Sequence, residues 1–400
     1  MKFLKSILRM LLMFFTFMNV SAAKEVEPFQ YALALQKLQD QIVLGNLEAH
    51  QAQLKMLRLM SKSFKQARIV DWQERKNAEA LLIFLLSGGN PNIAIELLAI
   101  KNQPNLPKGV LAGALAFVSG EPKAALKFLE PIVLEGLSTN VAAQIALARA
   151  SLYAGRDDGS GRAMEQLALV RLLKPGTLLE EAALRRSVAI AGANRDKKAF
   201  IRMSRLYSRR FNKSYYRKDF ISNFSYYISI LDFGFDSKFI EDLEEIMNRL
   251  SEENRAAIYI TVTRAAMLDG KVQLATILGR KAIIILQKQP LFVAKSNLYL
   301  GGTLIVSGKE KEGSDLIDKV DRQLLDVQDQ ELLDAIILIL AEIRKPLITT
   351  HSVGEKAMSK ITNGKLGESN GMQNSKTVDR AIDLIKGASK ILENKTYGPN

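Results

Sequence analysis

Glu180 and Glu181 are adjacent carboxylates set just ahead of the most basic stretch of the chain. A carboxyl with a raised pKa can protonate a leaving oxygen, which is the minimal equipment of a wall-cleaving glycosidase. Beyond them, residues 185–218 hold twelve Lys or Arg and a single acid, Asp196. Cations at that density, most of them arginines, suit fork-like contacts to carboxylate or phosphate. The remaining chemistry is sparse. His50 and His351 are far apart in sequence, and neither sits in the context of a nucleophile and its base. There is no HExxH, no paired metal-ligand spacing, no phosphate-cradling glycine loop and no cysteine. The sequence therefore assigns no catalytic residue, no metal ligand and no cofactor.

Glu180 also has a structural reading. Thr177-Leu-Leu-Glu180 has the form of a capping box, and negative charge is favoured at a helix start. That reading favours binding over catalysis and moves attention to the cations. Over residues 198–211 helical phase separates two stripes. Lys198, Arg202, Arg205 and Arg209 fall on one, and Phe200, Met203, Tyr207 and Phe211 on another. The apolar stripe should pack inward and the cations face out. Like charges at this spacing repel by about 0.2–0.5 kcal/mol per pair in an isolated helix. Such a local conflict is expected where a partner supplies the opposite charge. The candidate partner-binding residues are Arg185, Arg186, Lys198, Arg202, Arg205, Arg209, Arg210, Arg217 and Lys218. The internal alternative is that EDLEEI (241–246) or SEEN (251–254), one repeat away, folds back and neutralises the ladder.

The elements that must carry these residues are helices. Turn clusters recur at SGGNPN, SGEP, AGRDDGSG, AGANRD, LDFGFD, LDGK and VSGK. One glycine from each, at 88, 120, 155, 192, 234, 270 and 308, gives spacings of 32 to 42 residues. That period marks helix pairs, each burying its apolar face by stacking on its neighbours. Pro122 and the Asn90-Pro91 pair sit where helices begin. The expected fold is all-α, a tetratricopeptide-like helix-pair solenoid over residues 24–346, although the tetratricopeptide Trp-Leu-Gly-Tyr signature is absent. Residues 347–376, rich in Ser, Thr, Asn, Gly and Lys, read as a flexible linker. Residues 377–394, with Val378, Ile382, Ile385 and Leu392 on one face, read as a C-terminal amphipathic helix.

Location narrows the partner. Lys2, Lys5 and Arg9 precede the apolar run MLLMFFTFMNV and the small residues Ser21-Ala22-Ala23. This is the pattern of a cleaved signal peptide, residues 1–23. No later segment is apolar for about 18 residues, so an integral membrane protein is not expected. The formal net charge is +14. An exported cation of this size meets envelope anions rather than cytoplasmic nucleic acid. The expected compartment is the periplasm.

LLEEAALRRSVAIA, followed by FIRMSRLYSRRFNKSYYRKDF, resembles the MotC family, the periplasmic motility proteins of flagellated alphaproteobacteria. The segment PFQYALALQKLQDQIVLGN does so too, and the resemblance covers about residues 28–346. It implies a non-enzymatic role in flagellar rotation, through binding the periplasmic domain of the stator protein MotB. It brings no catalytic residues, and a chaperone is a candidate further partner. Two other readings stand beside it. One is a general envelope scaffold that binds anionic wall or lipid groups. The other is a wall hydrolase.

Overall fold

A computed structural model of the chain describes residues 26–101, 103–231, 237–287 and 289–345. The expected signal peptide, linker and C-terminal amphipathic helix lie outside these residues, as does His351. Among the described residues the fold is all-α, with seventeen α-helices and no strand. The helix-pair expectation holds for most of the chain. The pairs are α1 (Pro28–Val43) with α2 (Leu47–Gln66), α3 (Arg75–Leu86) with α4 (Asn92–Ala99), and α5 (Val110–Val118) with α6 (Pro122–Leu129). Next come α7 (Thr139–Ala154) with α8 (Ser160–Leu173), α9 (Leu178–Ala193) with α10 (Lys197–Arg210), and α11 (Arg217–Ile230) with α12 (Ser237–Met247). The series ends with α13 (Glu252–Leu268) and α14 (Val272–Ile285), α15 (Pro290–Val306) and α16 (Glu310–Ile317), and α17 (Val327–Ile343). Of these, α3 with α4 and α11 with α12 are paired by order only, since α4 packs on α2 and α5 and α12 on α10. From α7 onward the leading helices start at residues 139, 178, 217, 252, 290 and 327, a period of 35 to 39.

Pairing follows from composition. Leading helices are buried on several sides and rich in small residues: Ala142, Ala143, Ala146, Ala148 and Ala150 of α7 are all buried. Trailing helices such as α10 bury one stripe only. Successive leading helices pack on one another, α7 on α9, α9 on α11, α11 on α13 and α13 on α15. The core is accordingly a series of buried clusters rather than one centre. The described residues as far as Leu340 belong to one unit. Of the second unit, from Ala341, the described residues are the end of α17 and the turn after it.

Several of the turns share one cap, though the turn after α7 does not, since Gly155 keeps a φ of −80°. At Gly88, Gly120, Gly270 and Gly308 the chain takes a positive φ, between 69° and 93°. Its N–H then bonds three residues back, and the next N–H five residues back, as in Gly270 to Met267 O and Lys271 to Ala266 O. After α9 the same geometry falls on Arg195, with φ 57°, and not on Gly192. Gly192 lies inside α9, where a Cβ would stand 2.2 Å from the Tyr227 ring. It is a packing glycine at the α9–α11 crossing, and the periodic reading of glycines mistook it for a turn.

The second departure from a linear stack is at the N-terminus. Helix α1 packs on α3 and also on α9. Val43 joins the buried cluster of α9, α10 and α11. Tyr215 N–H donates to Ile42 O at 3.2 Å, and the His50 ring stacks on Tyr215 with centroids 3.8 Å apart. The first pair is thus anchored to the loop between α10 and α11, about 165 residues further along, a distance sequence periodicity does not reach.

Candidate interaction surface

The basic stretch spans α9, α10 and the start of α11, and its apolar stripe behaves as expected. Phe200, Met203, Tyr207 and Phe211 are buried. Phe200 stacks on Phe224 and Tyr207 on Phe220, at 5.6 and 4.1 Å between ring centroids, so an aromatic layer welds α10 to α11. That layer fixes which way the opposite face of α10 points.

The cations divide into two sets. Arg205 and Arg209 turn to α12, where EDLEEI lies. Arg205 Nη2 donates to Asp242 Oδ1 at 2.6 Å, and its Nε lies 2.6 Å from Glu245 Oε2 without hydrogen-bond alignment. Arg209 Nη2 donates to Glu245 Oε1 at 2.5 Å. The hydrogen bond from Arg209, with Arg205 adding to it, holds the Glu245 carboxyl below its ordinary pKa. Arg210 pairs with Glu180 at 2.8 Å, and Arg185 bridges Glu181 and Asp219 at 3.2 and 2.9 Å. The internal alternative, neutralisation by EDLEEI, therefore describes Arg205 and Arg209, while Arg185 and Arg210 pair with the nearer acids Glu180, Glu181 and Asp219. The other expected residues, Arg186, Lys198, Arg202, Arg217 and Lys218, form no ion pair among the described residues, and Arg217 only donates to Ser214 O at 3.2 Å. Lys198, Arg202 and Lys218 are exposed.

The two candidate acids are committed elsewhere. Glu181 is fully buried and accepts the Tyr207 hydroxyl at 2.8 Å. Glu180 is buried, and it accepts the Gly176 N–H at 2.5 Å besides its pair with Arg210. The capping box is not formed, because the Thr177 hydroxyl donates to Lys174 O at 2.7 Å instead of accepting from the helix. A carboxylate without solvent access and with its lone pairs taken is badly placed to protonate a polymer. His50 lies against the Tyr215 and Tyr216 rings, so its place is explained by packing.

Two features of this region carry no signal in the sequence. Arg149, an unremarkable residue of α7, is buried and donates to Leu129 O at 2.6 Å, Glu130 O at 3.2 Å and Ile132 O, closing the end of α6. Arg186, next to the paired Arg185, is exposed and lies along the open cavity between α1, α2, α7 and α9 rather than on the α10 ladder.

Comparison with known proteins decides the family. The family model described as Chemotaxis protein MotC matches residues 2–396. The chain belongs to the MotC family. Chemotaxis protein MotC of Rhizobium meliloti (strain 1021) is 25% identical over 333 residues, which cover 82% of this chain and 75% of that protein. No solved structure matches. MotC membership supports an accessory role in motility and chemotaxis. No described helix is long and apolar enough to cross a membrane.

Proposed function

We propose that this MotC-family chain is exported to the periplasm and acts there, without catalysis, by binding the periplasmic domain of the flagellar stator protein MotB. The family match over nearly the whole chain carries the motility part of this reading. The basic start, apolar run and small residues of 1–23 support export. The contact is assigned to three exposed cations that form no ion pair among the described residues: Lys198 and Arg202 on α10 and Lys218 on α11. The aromatic layer beneath them presents them on a rigid face. Unpaired surface charges of this kind steer and orient an acidic partner more than they set final affinity.

The test replaces Lys198, Arg202 and Lys218 by Glu. Arg205 and Arg209 are unsuitable, since reversing them breaks the pairs with Asp242 and Glu245 and confounds folding with binding. The triple variant should keep its thermal unfolding, associate at least about tenfold more slowly with purified MotB periplasmic domain, and swim poorly. Normal swimming at wild-type protein levels overturns the assignment. Retention on purified wall polymer or anionic vesicles, lost in the same variant while MotB binding persists, would favour the envelope-scaffold reading instead.

A further inference from the structure

Helix α17 is the last leading helix among the described residues, and it is covered on one side only. Its inner side meets α15. Ile336 sits over Gly302, where a Cβ would stand 2.6 Å from the Ile336 Cδ1, and the Asp329 carboxylate accepts the Tyr299 hydroxyl at 2.7 Å. Helix α15 buries eleven of its 17 residues, whereas α17, of the same length, buries four. Composition does not explain the difference. Eleven residues of α17 are apolar, and Ala335 to Ala341 form an unbroken apolar run. Leu338 is 70% exposed, with Ile337 at 46% and Ile339 at 42% on its two flanks. A helix that is apolar on every side is ordinarily buried on every side. Single exposed leucines are common on any surface, but an exposed apolar triplet spanning the outer side of a helix marks a surface made to be covered.

The outer side also names its cover, because its pattern reads the same from Leu338 in both directions. Three residues away on either side stands an exposed alanine, Ala335 and Ala341. Seven residues away stand exposed charges of opposite sign, Glu331 before and Lys345 just past the helix end. Steps of four, three, three and four keep all five on one face. We propose that this face is a homodimer interface, on which α17 of a second copy packs antiparallel about a twofold axis at Leu338. A twofold interface joins one patch to itself, so each contact occurs twice. Here it sets Ala335 against the second copy's Ala341, where small side chains let the helix axes approach. It also sets Glu331 against the second copy's Lys345 at both ends. Parallel packing is disfavoured, since it would stack Glu331 on Glu331 and Lys345 on Lys345. Asp334 and Glu342, which the antiparallel register also brings near each other, each have a cation of their own chain, Arg322 and Lys345. The interface does not depend on the stator reading, whose cations belong to α10 and α11.

Light scattering after gel filtration of the chain from Lys24, loaded between about 1 and 100 µM, should approach twice the chain mass at the upper end. Leu338→Glu should weaken association by about tenfold or more, because it sets two carboxylates face to face on the axis. Glu331→Lys should weaken it as well, and adding Lys345→Glu to that variant should restore it, which only this register yields. The substituted side chains are exposed, so each variant should unfold at the wild-type temperature when compared as a monomer. A second readout does not depend on affinity. The chain has no cysteine, so Leu338→Cys carries a single thiol, and oxidation with diamide should join two copies through it. Val327→Cys is the control: Val327 is also 70% exposed, but eleven residues from the axis put two such thiols about 33 Å apart. A chain that stays monomeric at the upper concentration, association indifferent to Leu338→Glu, a charge swap that fails to restore it, or equal cross-linking through residues 327 and 338 overturns the proposal.

Discussion

The Tyr207 hydroxyl donates to Glu181 Oε1 at 2.8 Å, joining α10 to α9 in a place that solvent does not reach. The carboxylate is shared with Arg185, whose guanidinium also lies over the Tyr216 ring at 5.2 Å. Burial first, then the charge and hydrogen bond of Glu181, push the Tyr207 pKa above its ordinary value of 10.0. A group with a folded pKa above its unfolded one lends stability that is complete below the unfolded pKa and declines above it. Unfolding free energy should therefore fall as pH rises beyond about 10, and less steeply in Tyr207→Phe. At pH 7 that variant should lose about 1–3 kcal/mol in urea denaturation, because a buried carboxylate is left short of a donor.

Arg149 acts as a clamp on the end of α6, donating to the backbone carbonyls of Leu129, Glu130 and Ile132. Arg149→Met fills similar space but cannot donate. It should cost about 1–3 kcal/mol in denaturant unfolding for the carbonyls left bare. Lysine should recover only part of the loss, since a single ammonium cannot span the carbonyls as the guanidinium does.

Docking of the first helix pair rests on a glycine. Gly45 has φ +91°, and a Cβ there would stand 2.4 Å from Lys213 O. Gly45→Ala meets both obstacles, a left-handed backbone costing about 1–2 kcal/mol and a clash with main chain that cannot swing aside. The expected result is local. Amide exchange should speed up through α1 and α2 while α13 to α15 keep their protection. Uniform exchange across all these helices would show that the N-terminal pair is not a separable element.

The pairs of Arg205 and Arg209 with Glu245 give a signature in acid. The folded pKa of Glu245 is depressed, so its contribution is present above the unfolded value near 4.5 and is lost as pH falls through the folded one. Glu245 is partly exposed, and solvent limits the contribution to about 0.5–1 kcal/mol. Glu245→Gln should be that much less stable than wild type at pH 7 and indistinguishable from it at pH 3. A gap that persists at pH 3 would mean that packing, not charge, is what Glu245 supplies.

Arg195 occupies the left-handed position that Gly88, Gly120, Gly270 and Gly308 hold in equivalent turns. Arg195→Gly should raise stability by about 0.5–1 kcal/mol, since the relief of a crowded Cβ exceeds the entropy that glycine loses. Thermal unfolding at pH 7 measures it.

Local pattern determined much of this protein. The 3–4 spacing of apolar residues, Pro122 at a helix start and glycines at a period near 36 made helix pairs legible, because each reports on contacts within one or two turns of chain. The same logic correctly buried Phe200, Met203, Tyr207 and Phe211. Tertiary structure alone decided the rest. A glycine looks the same in a turn and at a helix crossing, so Gly192 was misplaced until Tyr227 packed against it. A cation looks the same whether it faces water, a cavity or an acid on the next pair. Only the approach of α12 commits Arg205 and Arg209 to Asp242 and Glu245, and only the return of α1 to α9 brings Ile42 to Tyr215. Charge is written in the sequence, but its pairing depends on distances of a few ångströms between residues more than thirty apart, and those are set by how whole helices stack.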